Sequence, residues 1–113
     1  MLLDILQIVA GIGTVLTGLL SLFRPQAVEG FTGLKPTGAR GVTEIRAVLG
    51  AFFVGLGGAV LYLRVPAAYQ TLGIAYLCVA VVRTISMFVD KSVVSSNIIS
   101  VISEVVLGII LVL

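Results

Sequence analysis

Residues 40–64 read RGVTEIRAVLGAFFVGLGGAVLYLR, and the fold follows from how this stretch is interpreted. Between Arg46 and Arg64 lie about seventeen uncharged residues, close to the ~20 that a helix needs to cross a hydrocarbon core. Its opening is different, because Arg40, Glu44 and Arg46 precede or interrupt the apolar run. Ionisable groups inside a membrane span cost roughly 2.5–3.5 kcal/mol each at the helix centre, so they face protein and find partners. The segment is therefore predicted to be a transmembrane helix with a charged, inward-facing start.

The rest of the chain has the same character. Apolar residues make up 59% of the 113, charged residues 11%, and the mean hydropathy is +1.25, well outside the soluble range. Four spans are predicted, at about 2–23, 40–63, 66–89 and 93–113, each near the ~20 residues of a crossing. Arg24-Pro25 closes the first, since proline disfavours helix in the residue before it. Pro66 is tolerated in the first turn of the third, and Asp90-Lys91 marks the turn before the fourth. The segment 24–39, with Pro25, Gly30, Gly33, Pro36 and Gly38, is the one long loop, with room for one interfacial turn near 28–34.

These features predict an all-α fold: a single integral membrane domain, a four-helix bundle running up-down-up-down with both termini on the same side. Arg24, Lys35, Arg40 and Lys91 fall on one side of such a bundle and Arg64 on the other, so the positive-inside rule places loop 24–39 in the cytoplasm and the termini outside. Met1-Leu2-Leu3-Asp4 carries no basic segment ahead of its apolar run, which argues against a cleaved secretory signal. Net charge +2, concentrated on one face, suits anionic headgroups, and nucleic-acid binding is not indicated.

Polar and small residues recur in stripes. Asp4, Gln7, Gly11, Thr14, Gly18 and Ser21 share one face of the first span, and Asn97, Ser100, Glu104 and Gly108 one face of the fourth. In the second span Glu44, Ala51, Gly55 and Ala59 share a face, and Arg46, Gly50 and Gly57 a neighbouring one. In the third, Arg83 aligns with Tyr76, Ala80, Met87 and Asp90. Helices associate in lipid through close backbone approach and interhelical hydrogen bonds, so these stripes are the packing faces. Gly11-x-Gly13 and Gly55-x-Gly57-Gly58 lie inside spans and follow no strand, which removes them as dinucleotide fingerprints.

The candidate site is the charged set Glu44, Arg46, Arg83 and Glu104, with Tyr76, Asn97 and Ser100 as supporting polar groups. At ~1.5 Å of rise per residue, Glu44, Arg46 and Arg83 share a similar height while Glu104 lies about 6–8 Å deeper, within reach of an arginine. Either Arg46 or Arg83 reaches Glu104, leaving Glu44 to Arg40 or the other arginine, or else Glu104 has only Asn97, Ser100 and tyrosine hydroxyls beside it. With no histidine and the single Cys78, neither a metal site nor a thiol redox pair is expected, and no cofactor is indicated.

The pattern Arg40-Gly41-x-x-Glu44-x-Arg46-Ala47, followed by a glycine-rich span, a lone Arg83 late in the third span and a lone Glu104 in the fourth, resembles a family of small bacterial four-span membrane proteins described only as a domain of unknown function. More distantly it is similar to DoxX-like proteins. The resemblance covers nearly the whole chain and implies a four-helix protein of the bacterial inner membrane, with no activity attached. Three functions fit the residues. The first is a binding or accessory bundle that holds a lipophilic ligand or docks with membrane partners. The second is a proton-coupled small transporter acting as a dimer through a midplane carboxylate. The third is a membrane enzyme using Glu104 as general acid on a lipophilic substrate, with Glu44 or Arg83 stabilising charge. The first is preferred, because no recognisable catalytic set is present; its partners are the bilayer, a lipophilic small molecule, and a homodimer or larger membrane complex.

Overall fold

The computed structural model describes residues 1–113. It is 87% helical and contains no strand. Helix α1 spans Leu2–Phe23, a short α2 spans Val28–Thr32, α3 spans Gly38–Leu63, α4 spans Pro66–Val89 and α5 spans Ser95–Val112. All but α2 are long and apolar enough to cross a membrane. The chain is an all-α membrane protein whose outward side chains, among them Leu16, Val82, Ile85 and Phe88, are the large apolar groups that lipid solvates.

Local chemistry accounts for the breaks. Arg24, ahead of Pro25, leaves the helical region at φ −132° and ψ 68°, and Pro25–Ala27 makes a single tight turn that leads into α2. Gly33 ends α2 in the left-handed region at φ 76°, its N–H reaching the Glu29 carbonyl, which is the common glycine C-cap. Between α3 and α4 Arg64 takes a left-handed φ of 49°, Val65 is extended, and Pro66 opens the next helix where its missing N–H costs nothing. Lys91, at φ 53°, reverses the chain between α4 and α5.

The second span, α3, starts at Gly38, two residues before the predicted boundary, and its first half is not uniform. Ile45–Ala51 is π-helical, with the Phe52 N–H bonded five residues back to Ala47. The wider turn rotates the charged Arg40 and Glu44 relative to the glycine-bearing half. At 26 residues α3 is about 39 Å long, some 9 Å more than a ~30 Å hydrocarbon core. Its charged start therefore fits headgroup depth, with the apolar half in hydrocarbon.

Two compact units form. In the first, Gly11–Leu63, the later part of α1 packs antiparallel on α3 through paired glycines. A Cβ on Gly18 would lie 2.7 Å from the Gly50 carbonyl oxygen, and one on Gly57 would lie 2.8 Å from that of Gly11. The Gly11/Gly57 and Gly18/Gly50 layers are seven residues apart on both helices, the repeat of a shallow left-handed crossing. Thr14 and Ser21 on the same stripe are each 1% exposed. Ser21 returns its hydroxyl to the Thr17 carbonyl, which keeps the polar atom satisfied without an interhelical partner.

The second unit, Met1–Ala10 with Arg64–Leu113, is built on the antiparallel α4–α5 pair. Gly73 and Gly108 make its close approach: a Cβ on Gly73 would stand 2.9 Å from the Gly108 carbonyl and 2.8 Å from the Leu111 side chain. Leu72, Ala80, Met87 and Leu111 are buried here, and the Gln7 side-chain amide donates to the Ile110 carbonyl at 3.2 Å. That bond uses one of the last carbonyls of α5, which have no partner within the helix.

Candidate functional site

Away from the Gly73–Gly108 contact, α4 and α5 carry the polar residues of the second unit. Arg83 lies six residues before the end of α4, about 9 Å along its axis, and Glu104 lies near the middle of α5. The Arg83 Nε–H is shared between Glu104 Oε1 at 3.0 Å and Oε2 at 3.2 Å. Nη2 donates to Oε2 at 2.9 Å, so the carboxylate is gripped side-on by the guanidinium. Nη1 donates to Asn97 Oδ1 at 3.1 Å. The Asn97 amide in turn donates to the Ser92 carbonyl at 2.9 Å, tying the network to the α4–α5 turn. That turn is further held by the Ser86 hydroxyl on Asp90 and by the Ser92 N–H on the Met87 carbonyl.

The pair is partly buried, with the Glu104 side chain 12% and that of Arg83 29% exposed. Beside it an open cleft of about 460 Å³ is lined by Cys78, Val79, Val82, Arg83, Ser86, Ser92 and Asn97. Cys78, Val79 and Val82 form its apolar part and Arg83, Ser86, Ser92 and Asn97 its polar part, and it is open along one side.

The predicted site residues separate into two sets. Arg83, Glu104 and Asn97 come together. Glu44 lies in the other unit, where its carboxylate is paired with Arg40 one helical turn earlier, and both side chains are largely exposed. Arg46 is exposed on the π-helical stretch of α3. Ser100 is occupied within its own helix, its hydroxyl donating to the Ser96 carbonyl at 2.9 Å. Tyr76 is half-buried on α4, two turns before Arg83. Of the pairings left open by the sequence, the structure has Arg83 with Glu104 and Arg40 with Glu44.

Sequence reasoning missed the cleft. Nothing in the residue types of Cys78, Val79 and Val82 separates a cleft wall from a lipid face. The bond from Asn97 to the Ser92 carbonyl leaves no mark on residue identity beyond the polar Asn97 near the start of α5. No curated protein and no solved structure matches the chain. The family described as Domain of unknown function (DUF4345) matches residues 2–113, and the chain belongs to that family.

Proposed function

We propose that this protein is a membrane-embedded binding module that holds a lipophilic small molecule in the cleft between α4 and α5, with Arg83, held in place by Glu104 and Asn97, recognising its polar end. One observation carries this reading: a charged network inside an apolar helix pair opens into a cleft with valine and cysteine walls. An ion pair that served only to join α4 to α5 would need no adjoining volume. Both Glu104 oxygens accept from Arg83, which leaves neither aimed into the cleft and disfavours Glu104 as a general acid or proton carrier.

In the same proposal the chain is a single transmembrane domain of the bacterial inner membrane, distantly DoxX-like. Loop 24–39 lies in the cytoplasm and the termini outside, as the distribution of Arg24, Lys35, Arg40 and Lys91 favours. Arg40, Glu44 and Arg46 then form a separate charged group at headgroup depth, available to anionic lipid or to a second copy of the chain or another membrane partner.

Cys78 gives a direct test, because it is the only cysteine and it lines the cleft. In native membranes its alkylation by N-ethylmaleimide, followed by intact mass, is expected to be several-fold slower than in Arg83→Met/Glu104→Met, where the polar end of the ligand has nothing to bind. Equal rates in both would refute an occupied cleft.

A further inference from the structure

The chemistry of the ligand's polar end follows from how the network's hydrogen-bonding capacity is spent, and the inference rests on the binding proposal above. A guanidinium has five N–H groups and no acceptor. In Arg83 the Nε–H, one Nη2–H and one Nη1–H are committed to Glu104 and Asn97, which leaves one N–H on each terminal nitrogen. Those two donors belong to a side chain that lines the cleft and stays partly open to it. An unmade bond from a donor in an apolar medium costs the desolvation of that group, so an acceptor oxygen belongs there.

Charge then selects the kind of acceptor. Glu104 already balances Arg83, so a carboxylate or phosphate added to the cleft would leave an uncompensated negative charge within the span. A cation fares no better, because both Glu104 oxygens already accept from Arg83 and a second positive charge would face the guanidinium. Asn97 gives one of its two amide N–H groups to the Ser92 carbonyl, and Ser86 gives its hydroxyl proton to Asp90. The uncommitted N–H groups of Arg83 and Asn97 are all donors, on side chains that line the cleft together with Val79, Val82 and Cys78, and they call for an acceptor.

We infer that the site takes a neutral lipid bearing a carbonyl oxygen, with the carbonyl accepting from the two uncommitted N–H groups of Arg83 and an apolar chain lying against Val79 and Val82. Both valines are outward-facing, at 45% and 65% exposure, so the chain of such a ligand passes directly into surrounding lipid.

The test is titration of the full-length protein in detergent, read by native mass spectrometry, with dioctanoylglycerol, its diether analogue dioctylglycerol, and dioctanoyl phosphatidic acid. The ester is expected to bind at least about tenfold tighter than the ether, which lacks the carbonyl, and tighter than the charged lipid. In Arg83→Met/Glu104→Met, whose two apolar replacements keep the helix pair packed, the ester preference is expected to vanish. Equal binding of ester and ether to the wild type, or tighter binding of phosphatidic acid, overturns the carbonyl inference while leaving a lipophilic ligand site in place. Failure of all three lipids to bind the wild type removes the binding proposal itself.

Discussion

Gly18→Ala should separate α1 from α3, and the geometry gives the size of the effect. The new Cβ would stand 2.7 Å from the Gly50 carbonyl oxygen and 2.7 Å from the Val54 backbone nitrogen, with the Val54 methyl at 2.9 Å. Two of the three obstacles are backbone, so no rotamer change relieves them. Restoring ordinary contact moves the helices apart by about 0.7 Å, and a gap of that size forfeits roughly a quarter to a half of each dispersion contact along the seam. Overpacking of this kind costs typically 1–3 kcal/mol. Gly13→Ala on the same helix is the matched control, because a Cβ there meets nothing within 4 Å. It gains only the helix propensity of alanine, up to about 1 kcal/mol. Unfolding in mixed micelles of rising SDS fraction, followed by far-UV circular dichroism, is expected to rank Gly18→Ala below wild type and Gly13→Ala level with or above it, about 2–3 kcal/mol apart. Indistinguishable transitions for the two variants would refute the close glycine seam.

Other outcomes follow from the same contacts. Arg83→Met leaves the Glu104 carboxylate without its partner in an apolar span and should cost about 3 kcal/mol or somewhat less, given the partial exposure of the pair, while Arg83→Met/Glu104→Met should recover most of it; a double-mutant cycle in SDS measures the coupling. Asn97→Ala removes the bonds to Arg83 and Ser92 and should destabilise by about 1–2 kcal/mol while raising amide hydrogen exchange in the turn before α5. Lys91 holds a left-handed φ, so Lys91→Val should lower stability by about 1–2 kcal/mol and Lys91→Gly should not, with thermal melting as the measure.

The spans were legible because bilayer thickness fixes helix length, and Pro25, Pro66 and the Asp90-Lys91 turn punctuate the apolar runs where the helices break or turn. Gly11 and Gly18 were also legible as packing positions, since they share a stripe with Thr14 and Ser21 and small residues are what close helix pairs in lipid require. The same rule misled at Gly55, where nothing comes near a Cβ, because residue size alone does not say which glycine faces a neighbour. The π-helical stretch over Ile45–Ala51 was invisible, as its sequence is an ordinary apolar helical one. In the candidate site, charge and depth brought Arg83 toward Glu104 as one of the two open pairings, whereas the separation of Glu44 and Arg46 into another unit depends on packing that periodicity does not encode. The cleft is a property of unfilled space between helices, and composition carries no signal for that.

In the proposed function the Arg83–Glu104–Asn97 network serves a ligand in addition to joining α4 and α5. Native mass spectrometry of the protein released gently from its own membrane, wild type beside Arg83→Met/Glu104→Met, tests it most directly. A discrete co-purifying neutral mass on the wild type that is lost from the folded double variant is the expected result. Bare wild type and bare variant of equal stability would contradict the account and leave the network as a join between two helices.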